Sequence, residues 1–455
     1  MMSKSSRPML LVAIVGAGLV LAIFVGWRIN LAHNVNTKLQ AIRAAGLPTS
    51  GTELNAYYAA APDAENAALV MTQAFALIRN YPDNRSNDID QFQFPTRGQR
   101  LTNEQIQLLA GYVEMNSNAL AKMVEALKLP KSRYPVDFSP GVNTLLPHLV
   151  KIKRLALISE YQALLAIDST HPSDTDSSVS NILHLAGTLN EEPILISQLV
   201  RMALFNFANR TLEQRLNAGE LDDTELTNLN DAFTRQMETN LIAQALIGER
   251  AMAIPFFRMS LAEIKRLSES EGEDNNMPTG PPLPGPQPML FRVTGFFERD
   301  LLYYLDAMET AISFASLPPP RDLAITNVSE TMAEDARNHY CIFSATFLPS
   351  LSGPVVREAD GLARIRLATT AIAVERFRLA HGRLPEHLNE LVPQFLSTMP
   401  DDPFDGQPLR YHRLDKGYVI YSIGSDGEDN GGRERPASVK STDKTHYDIT
   451  FIVDR

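Results

Sequence analysis

The sequence predicts a mainly α protein: an N-terminal transmembrane helix, an irregular multi-helix bundle or solenoid, and a small C-terminal α+β module with a short antiparallel sheet. Three observations predict it. Residues 9–27, MLLVAIVGAGLVLAIFVGW, carry no charge. From there to His381, apolar residues recur at helical spacing in one segment after another. After Pro400 the apolar period changes to two.

The overall balance is that of a folded chain. Its 455 residues correspond to roughly two to three domains of about 150 residues, and 44% apolar with 21% charged residues is a globular mix. A formal net charge of −11 repels phosphate backbones and argues against nucleic acid as a partner. The one cysteine, Cys341, cannot form an internal bridge and reads as a small buried apolar side chain.

A run of about 19 apolar residues rises roughly 28 Å as a helix, enough for the hydrocarbon core of a bilayer. Trp27 and Arg28 suit the interface beyond it. The alternative is a cleaved signal peptide, but the run is longer than such a peptide's apolar region and no clean small-x-small site follows. Lys4 and Arg7 before the span nearly balance Arg28, Lys38 and Arg43 after it, so charge alone does not orient it. A short tail inserted with its N-terminus inside is the common arrangement. The expected location is therefore a bacterial inner membrane, crossed once, with the bulk of the chain periplasmic.

The helical stripe continues through Val35, Leu39 and Ile42 until Gly46-Leu47-Pro48 stops it. Ser50-x-x-Glu53 is a capping-box pattern. A helix is expected over Asn66–Ile78 and a polar loop over Tyr81–Arg100. Thr102 with Gln105, and Asp222 with Glu225, mark two further helix starts, the first flanked by a Leu101–Ile106 staple. Leu145–Ile167 and Ile182–Leu216 have helical spacing, with a turn at His171-Pro172-Ser173-Asp174 and a helix start at Asp176–Ser178. One helix is expected from Asp222 to about Ser268, bent at Pro255. Residues 278–288, PTGPPLPGPQP, suit neither helix nor sheet. Helices follow over Phe291–Phe314, Ile325–Phe343 and Val355–His381, the last closed by Gly382. Pro385 suits the first turn of a short helix with Leu388, Leu391, Val392 and Phe395 on its apolar face. Strands are expected over 408–413, 418–423 and 450–453, with Asp415-Lys416-Gly417 as a hairpin loop whose glycine supplies a positive φ. The expected organisation is a tail (1–8), the span (9–27), a helical domain (28–271), a Pro-rich linker (272–288), a helical segment packing on the main domain (289–350) and the C-terminal module (351–455).

The order of turns in that module carries a resemblance. His381-Gly382-Arg383-Leu384-Pro385 is followed by a leucine-rich helix, then Asp402-Pro403-Phe404-Asp405-Gly406-Gln407-Pro408-Leu409-Arg410-Tyr411, then Tyr418 to Gly427 (YVIYSIGSDG), and finally Asp448-Ile449. This resembles the C-terminal half of a major pseudopilin of type II secretion systems. The likeness covers roughly the last hundred residues. The N-terminal span lacks the glycine-phenylalanine prepilin cleavage site and the glutamate after it, so assembly into a fibre in that family's way is not implied. FSPGVNTLLPHL (138–149) and EEPILISQLVRMAL (191–204) resemble membrane-anchored proteins of planctomycetes and verrucomicrobia that join such a helical region to this module; no activity comes with that likeness.

Ser422 to Asn430 is dense in oxygen donors, and glycines at 424, 427, 431 and 432 permit tight curvature. Calcium takes six to eight such oxygens at about 2.3–2.6 Å. The pseudopilin resemblance implies calcium here, with Asp426 and Asp448 as the matching positions and Asp429 as a third. The alternative is an ordinary set of Asp-Gly and Asn-Gly-Gly turns. Asp401, Asp402 and Asp405 read as turn residues rather than an acid–base pair. The nine histidines show no zinc spacing, and no nucleophile elbow, phosphate loop or dinucleotide fingerprint occurs. Glu249 and Arg250 read as helix ions that pair with neighbours. Phe256, Phe257, Phe291, Phe296 and Phe297 read as core. The function expected is a non-enzymatic envelope scaffold or interaction protein with a partner in the cell envelope, linked to a secretion or pilus-type system. The alternative is a hydrolase-like enzyme with its site in the helical domain.

Overall fold

The computed structural model describes residues 6–81, 89, 91–168, 173–237, 241–258, 263, 293–436 and 446–455. The Pro-rich linker at 272–288, His171-Pro172, Phe291 and the last part of the helix expected to reach Ser268 lie outside the described residues.

Helix α1 (Ser6–Ala44) changes role along its length. Its segment from Leu11 to Ala44 is long and apolar enough to cross a membrane. Leu11, Val12, Ile14, Leu19, Val20 and Ile23 are exposed, whereas Leu31, Val35 and Leu39 are buried against the body. The same helix therefore holds an apolar surface that nothing among the described residues covers and, two turns on, part of the core.

Beyond it the helices are α2 (Gly51–Tyr57), α3 (Ala67–Leu77), α4 (Asn103–Met115), α5 (Ser117–Ala126), α6 (Pro147–Asp168), α7 (Ser173–Gly187), α8 (Leu195–Ala218), α9 (Asp223–Thr234), α10 (Leu241–Ala253), α11 (Phe296–Ala315), α12 (Ile325–Asn338), α13 (Ile342–Phe347) and α14 (Ser352–His381). The capping boxes at Thr102–Gln105 and Asp222–Glu225 form with both hydrogen bonds, as their sequences predict. At Ser50 only half forms. The Ser50 hydroxyl accepts from Glu53 N–H, but the Glu53 carboxylate turns to Thr49, accepting from its N–H and hydroxyl.

Several expectations need correction. The helix expected over Ile325–Phe343 ends at Asn338, and a short one begins at Ile342. The helix expected from Asp222 to Ser268 is broken: α9 ends at Thr234, and α10 begins at Leu241 and runs into a 3-10 turn at Ile254–Arg258. The apolar periodicity survives the break because both pieces face the interior. The helix placed at Asp176–Ser178 begins at Ser173. The short helix after Pro385 is a single 3-10 turn, Leu388–Leu391.

Two large apolar cores result, with smaller clusters beside them. The larger joins α3 to α9, the second half of α14 (Ala363 to Phe377) and the inner face of the sheet (Tyr418, Ile420, Phe451, Val453). The second joins the end of α1, α10, α11, α12, α13 and Val355 at the start of α14. It contains Cys341, Phe257 and Phe297 in buried positions, with Phe256 and Phe296 packed against them. Helix α14 runs through both cores and ends at Gly382, whose φ of 68° takes the left-handed conformation that glycine adopts at least cost.

The sheet has the order β1 (Arg410–Arg413), β2 (Gly417–Ser422), β3 (Ile449–Asp454), all antiparallel. Gly417 is not the φ-positive turn residue expected. It pairs with Asp454 inside the ladder, and a Cβ there would lie 1.8 Å from the Val453 carbonyl oxygen, so close approach of β3 requires the glycine. Beneath the sheet, the buried Glu375 of α14 accepts from Tyr418 hydroxyl at 3.0 Å and from Arg455 at 2.8 Å, which ties the chain's last residue to the helix.

Candidate functional site

The C-terminal module is organised by a residue whose sequence context suggests only a turn. Asp402 is fully buried. Its carboxylate accepts from Phe404 N–H (3.0 Å), which makes the turn, and also from Ser422 hydroxyl (2.8 Å), Ile423 N–H (2.9 Å) and Arg410 (2.7 Å). Arg410 in turn binds Asp405 and lies 3.8 Å from Asp429. Burial works against it, but the Arg410 guanidinium still holds the Asp405 carboxyl below its ordinary value. One arginine and three aspartates thus fasten the 402–410 turn to the loop that follows β2.

Asp426, Asp429 and Asp448 all lie on or against that loop, and each has other partners. Asp426 accepts from Glu428 N–H at 3.1 Å, and its second oxygen lies 3.5 Å from His446 Nδ1. Asp429 accepts from Gly431 N–H at 2.9 Å. Asp448 accepts from the N–H groups of Asn430 (3.2 Å), Gly432 (2.7 Å) and Arg433 (3.2 Å). Its burial raises the carboxyl above its ordinary value, against those donors. Asp448 pins residues 430–433 over the outer sheet face, where Val419, Tyr421 and Ile452 form a small apolar cluster. Among the described residues, no group of three or more His, Cys, Asp and Glu side chains is placed to hold a metal ion.

Between this loop and the helices lies a groove of ≈680 Å³, lined by Asn206, Asn209 and Arg210 of α8, Asp360 and Arg364 of α14, and Asp426 and His446 of the module. Its charges are already matched. Arg210 binds the buried Glu160 through two hydrogen bonds of 2.7 and 2.8 Å, and Arg364 binds Asp360 at 2.9 Å.

Three further polar assemblies lie among the helices. His148 Nε2 lies 3.0 Å from both carboxylate oxygens of Glu192, which also accepts from Ser197 hydroxyl at 2.6 Å, while Tyr134 stacks on the imidazole. His148 belongs to the 138–149 segment, and Glu192 and Ser197 to the 191–204 segment, that stand out in the sequence; their meeting is interior, with all three side chains buried. A cleft of ≈870 Å³ is lined by Asp176, Ser177, Ser180, His184 and Glu225. Burial pushes Asp176 up to about 7 against the pull of Arg215, whose Nε lies 3.8 Å from one carboxylate oxygen; among the described residues neither oxygen has a hydrogen-bond partner. A small pocket of ≈20 Å³, the room of about one water, lies beside Glu358, Asp322, Arg201 and Gln236. There burial raises Glu358 to about 7 and Asp322 to about 6.

Sequence spacing could not find the roles of Asp402, Arg410 or Glu192, because each acts on partners brought close only by folding. The one local signal was the Asp-Pro-x-Asp-Gly turn around Asp402. Comparison with known protein families, with curated proteins and with solved structures finds no match to the chain.

Proposed function

We infer that this chain is a membrane-anchored, non-enzymatic envelope scaffold or interaction protein. Its pseudopilin-like C-terminal module is held as a fixed head on a helical body, on the periplasmic side of a bacterial inner membrane. The observation that carries it is continuity: one helix passes from an exposed apolar run into a packed core, and the head shares its core with the body. Such a build carries position from membrane to head through packed helices. The partner is a protein of the cell envelope, with components of a secretion or pilus-type system the first candidates. Crosslinking in the native host followed by capture of the chain tests it. Recovery of such components supports a scaffold role. Recovery of a bound small metabolite with no protein partner counts against it.

A calcium ion on the 422–430 loop, with Asp426, Asp429 and Asp448 as its carboxylates, belongs to the same reading. Its support is the density of oxygen donors, since the three carboxylates each hold another partner. A second, hydrolase-like reading is favoured by one feature, the Asp176 cleft with its serines, His184 and Glu225. Turnover of simple esters by the purified chain, lost in Asp176→Asn, would establish it.

A further inference from the structure

We propose that the body rests on the bilayer that α1 crosses, through a second contact made by Val293, Arg299 and the α12–α13 corner at Arg337–Tyr340. This rests on α1 spanning the membrane. Helices α1 and α11 run parallel, which sets the level of the contact: Arg28 bonds Glu298 at 2.8 Å, and Lys38 pairs with Asp306 further along. Arg28 ends the uncharged run, so it marks the headgroup layer. The start of α11 lies at that level and packs tightly there, since a Cβ on Gly295 would fall 2.1 Å from the Arg28 guanidinium and 2.6 Å from Leu31. One residue beyond Glu298, Arg299 donates to the His339 carbonyl at 2.9 Å. Tyr303 bonds Met332 and Asp335, so α12 runs back toward the membrane and ends at this corner.

What the corner displays fits a lipid surface. Tyr340 is 73% exposed and Val293 is 50% exposed. Arg299, Arg337 and His339 are exposed around them. Tyr340 is also the one non-glycine residue with positive φ (57°) among the described residues. Glycine or asparagine would occupy that helix-ending position with less strain. The conformation is held by Tyr340 N–H to Arg337 O (3.1 Å) and Cys341 N–H to Ala336 O (2.8 Å), with Cys341 buried in the core. The fold therefore spends a strained residue to point a tyrosine outward at the level where amphipathic rings and arginines sit between water and acyl chains. Arg299 and Arg337 supply donors for lipid phosphate.

The test uses the full chain in nanodiscs of phosphatidylcholine and phosphatidylglycerol, with or without brominated acyl chains. Trp27 is the only tryptophan, so its quenching in the natural chain reports insertion of α1. In a Trp27→Phe background, Tyr340→Trp and, separately, Val293→Trp report the second contact. Leu414→Trp, on the β1–β2 turn, is the distant control. The expected result is loss of emission from brominated lipid for the tryptophans at 340 and 293 and none for that at 414. Quenching of Trp27 without loss at 340 or 293 overturns the second contact and leaves the anchor standing. No quenching of Trp27 overturns the anchor, and this inference with it.

Discussion

The Glu213 carboxylate accepts a hydrogen bond at 2.8 Å from the backbone N–H of Ile452, 239 residues further along the chain. Asn217, one turn on along α8, donates to the Ile452 carbonyl and accepts from Asp454 N–H, both at 2.8 Å. β3 is an edge strand, and its outward backbone groups would otherwise be open to pairing with another chain. Two side chains of the helical body close that edge in place of a fourth strand.

Asn217→Ala should leave two backbone groups of β3 without partners. The expected cost is about 1–3 kcal/mol, read as a lower unfolding midpoint of the full chain in detergent. Self-association through the opened edge should appear at higher concentration, by light scattering. An unchanged midpoint would mean that the helix does not hold the strand.

Glu192→Ala should be among the most damaging single changes. It strands His148 and Ser197 in the interior, and loss of one partner of a buried pair typically costs about 3–5 kcal/mol. Circular dichroism of the purified variant would show early unfolding. A loss below about 1 kcal/mol would show that water reaches the site.

Stability should fall as pH rises from about 5 to about 7.5. Burial raises Asp176 and Glu358 to about 7, and Glu213 and Asp322 to about 6. In the unfolded chain these carboxyls ionise near 4, so between those values the folded state binds more protons and rising pH favours unfolding. Each group contributes up to about 1.4 kcal/mol per pH unit within its window. His184, held below its ordinary value by burial, works in the opposite direction. Glu358→Gln should flatten the profile and raise the midpoint at pH 7.5 but not at pH 5; an unaltered profile would place the effect elsewhere.

Calcium uptake by the 422–430 loop predicts a higher melting temperature of the full chain in millimolar calcium, reversed by chelator and absent in Asp426→Ala. No shift in the natural chain would leave Asp426, Asp429 and Asp448 as turn-forming residues alone.

Much of this architecture is written in local pattern. Thr102, Asp222 and Gly382 bound helices by chemistry confined to a few residues. The strands lie where the apolar runs place them, but all six residues of β2 are buried, because the helices cover one face and residues 430–433 the other. The break after Thr234 escaped because the apolar stripe continues across it. Gly417 was legible as a glycine requirement but not for its cause, which is a carbonyl of β3. Of the candidate site, the oxygen-rich loop was visible. Its fastening was not: Asp402 meets Ser422 twenty residues away, and Glu213 meets Ile452 across half the chain. Pairings of that range depend on packed helices and leave no periodic trace.

Hydrogen–deuterium exchange of the full chain in nanodiscs tests most directly whether head and body are one unit. Amides of β2 (Gly417–Ser422) and of the buried stretch of α8 around Phe205–Leu212 should open with the same free energy, and Asn217→Ala should lower both together. Exchange of β2 well before α8, with α8 unaffected by the substitution, would contradict the account by showing a head that unfolds on its own.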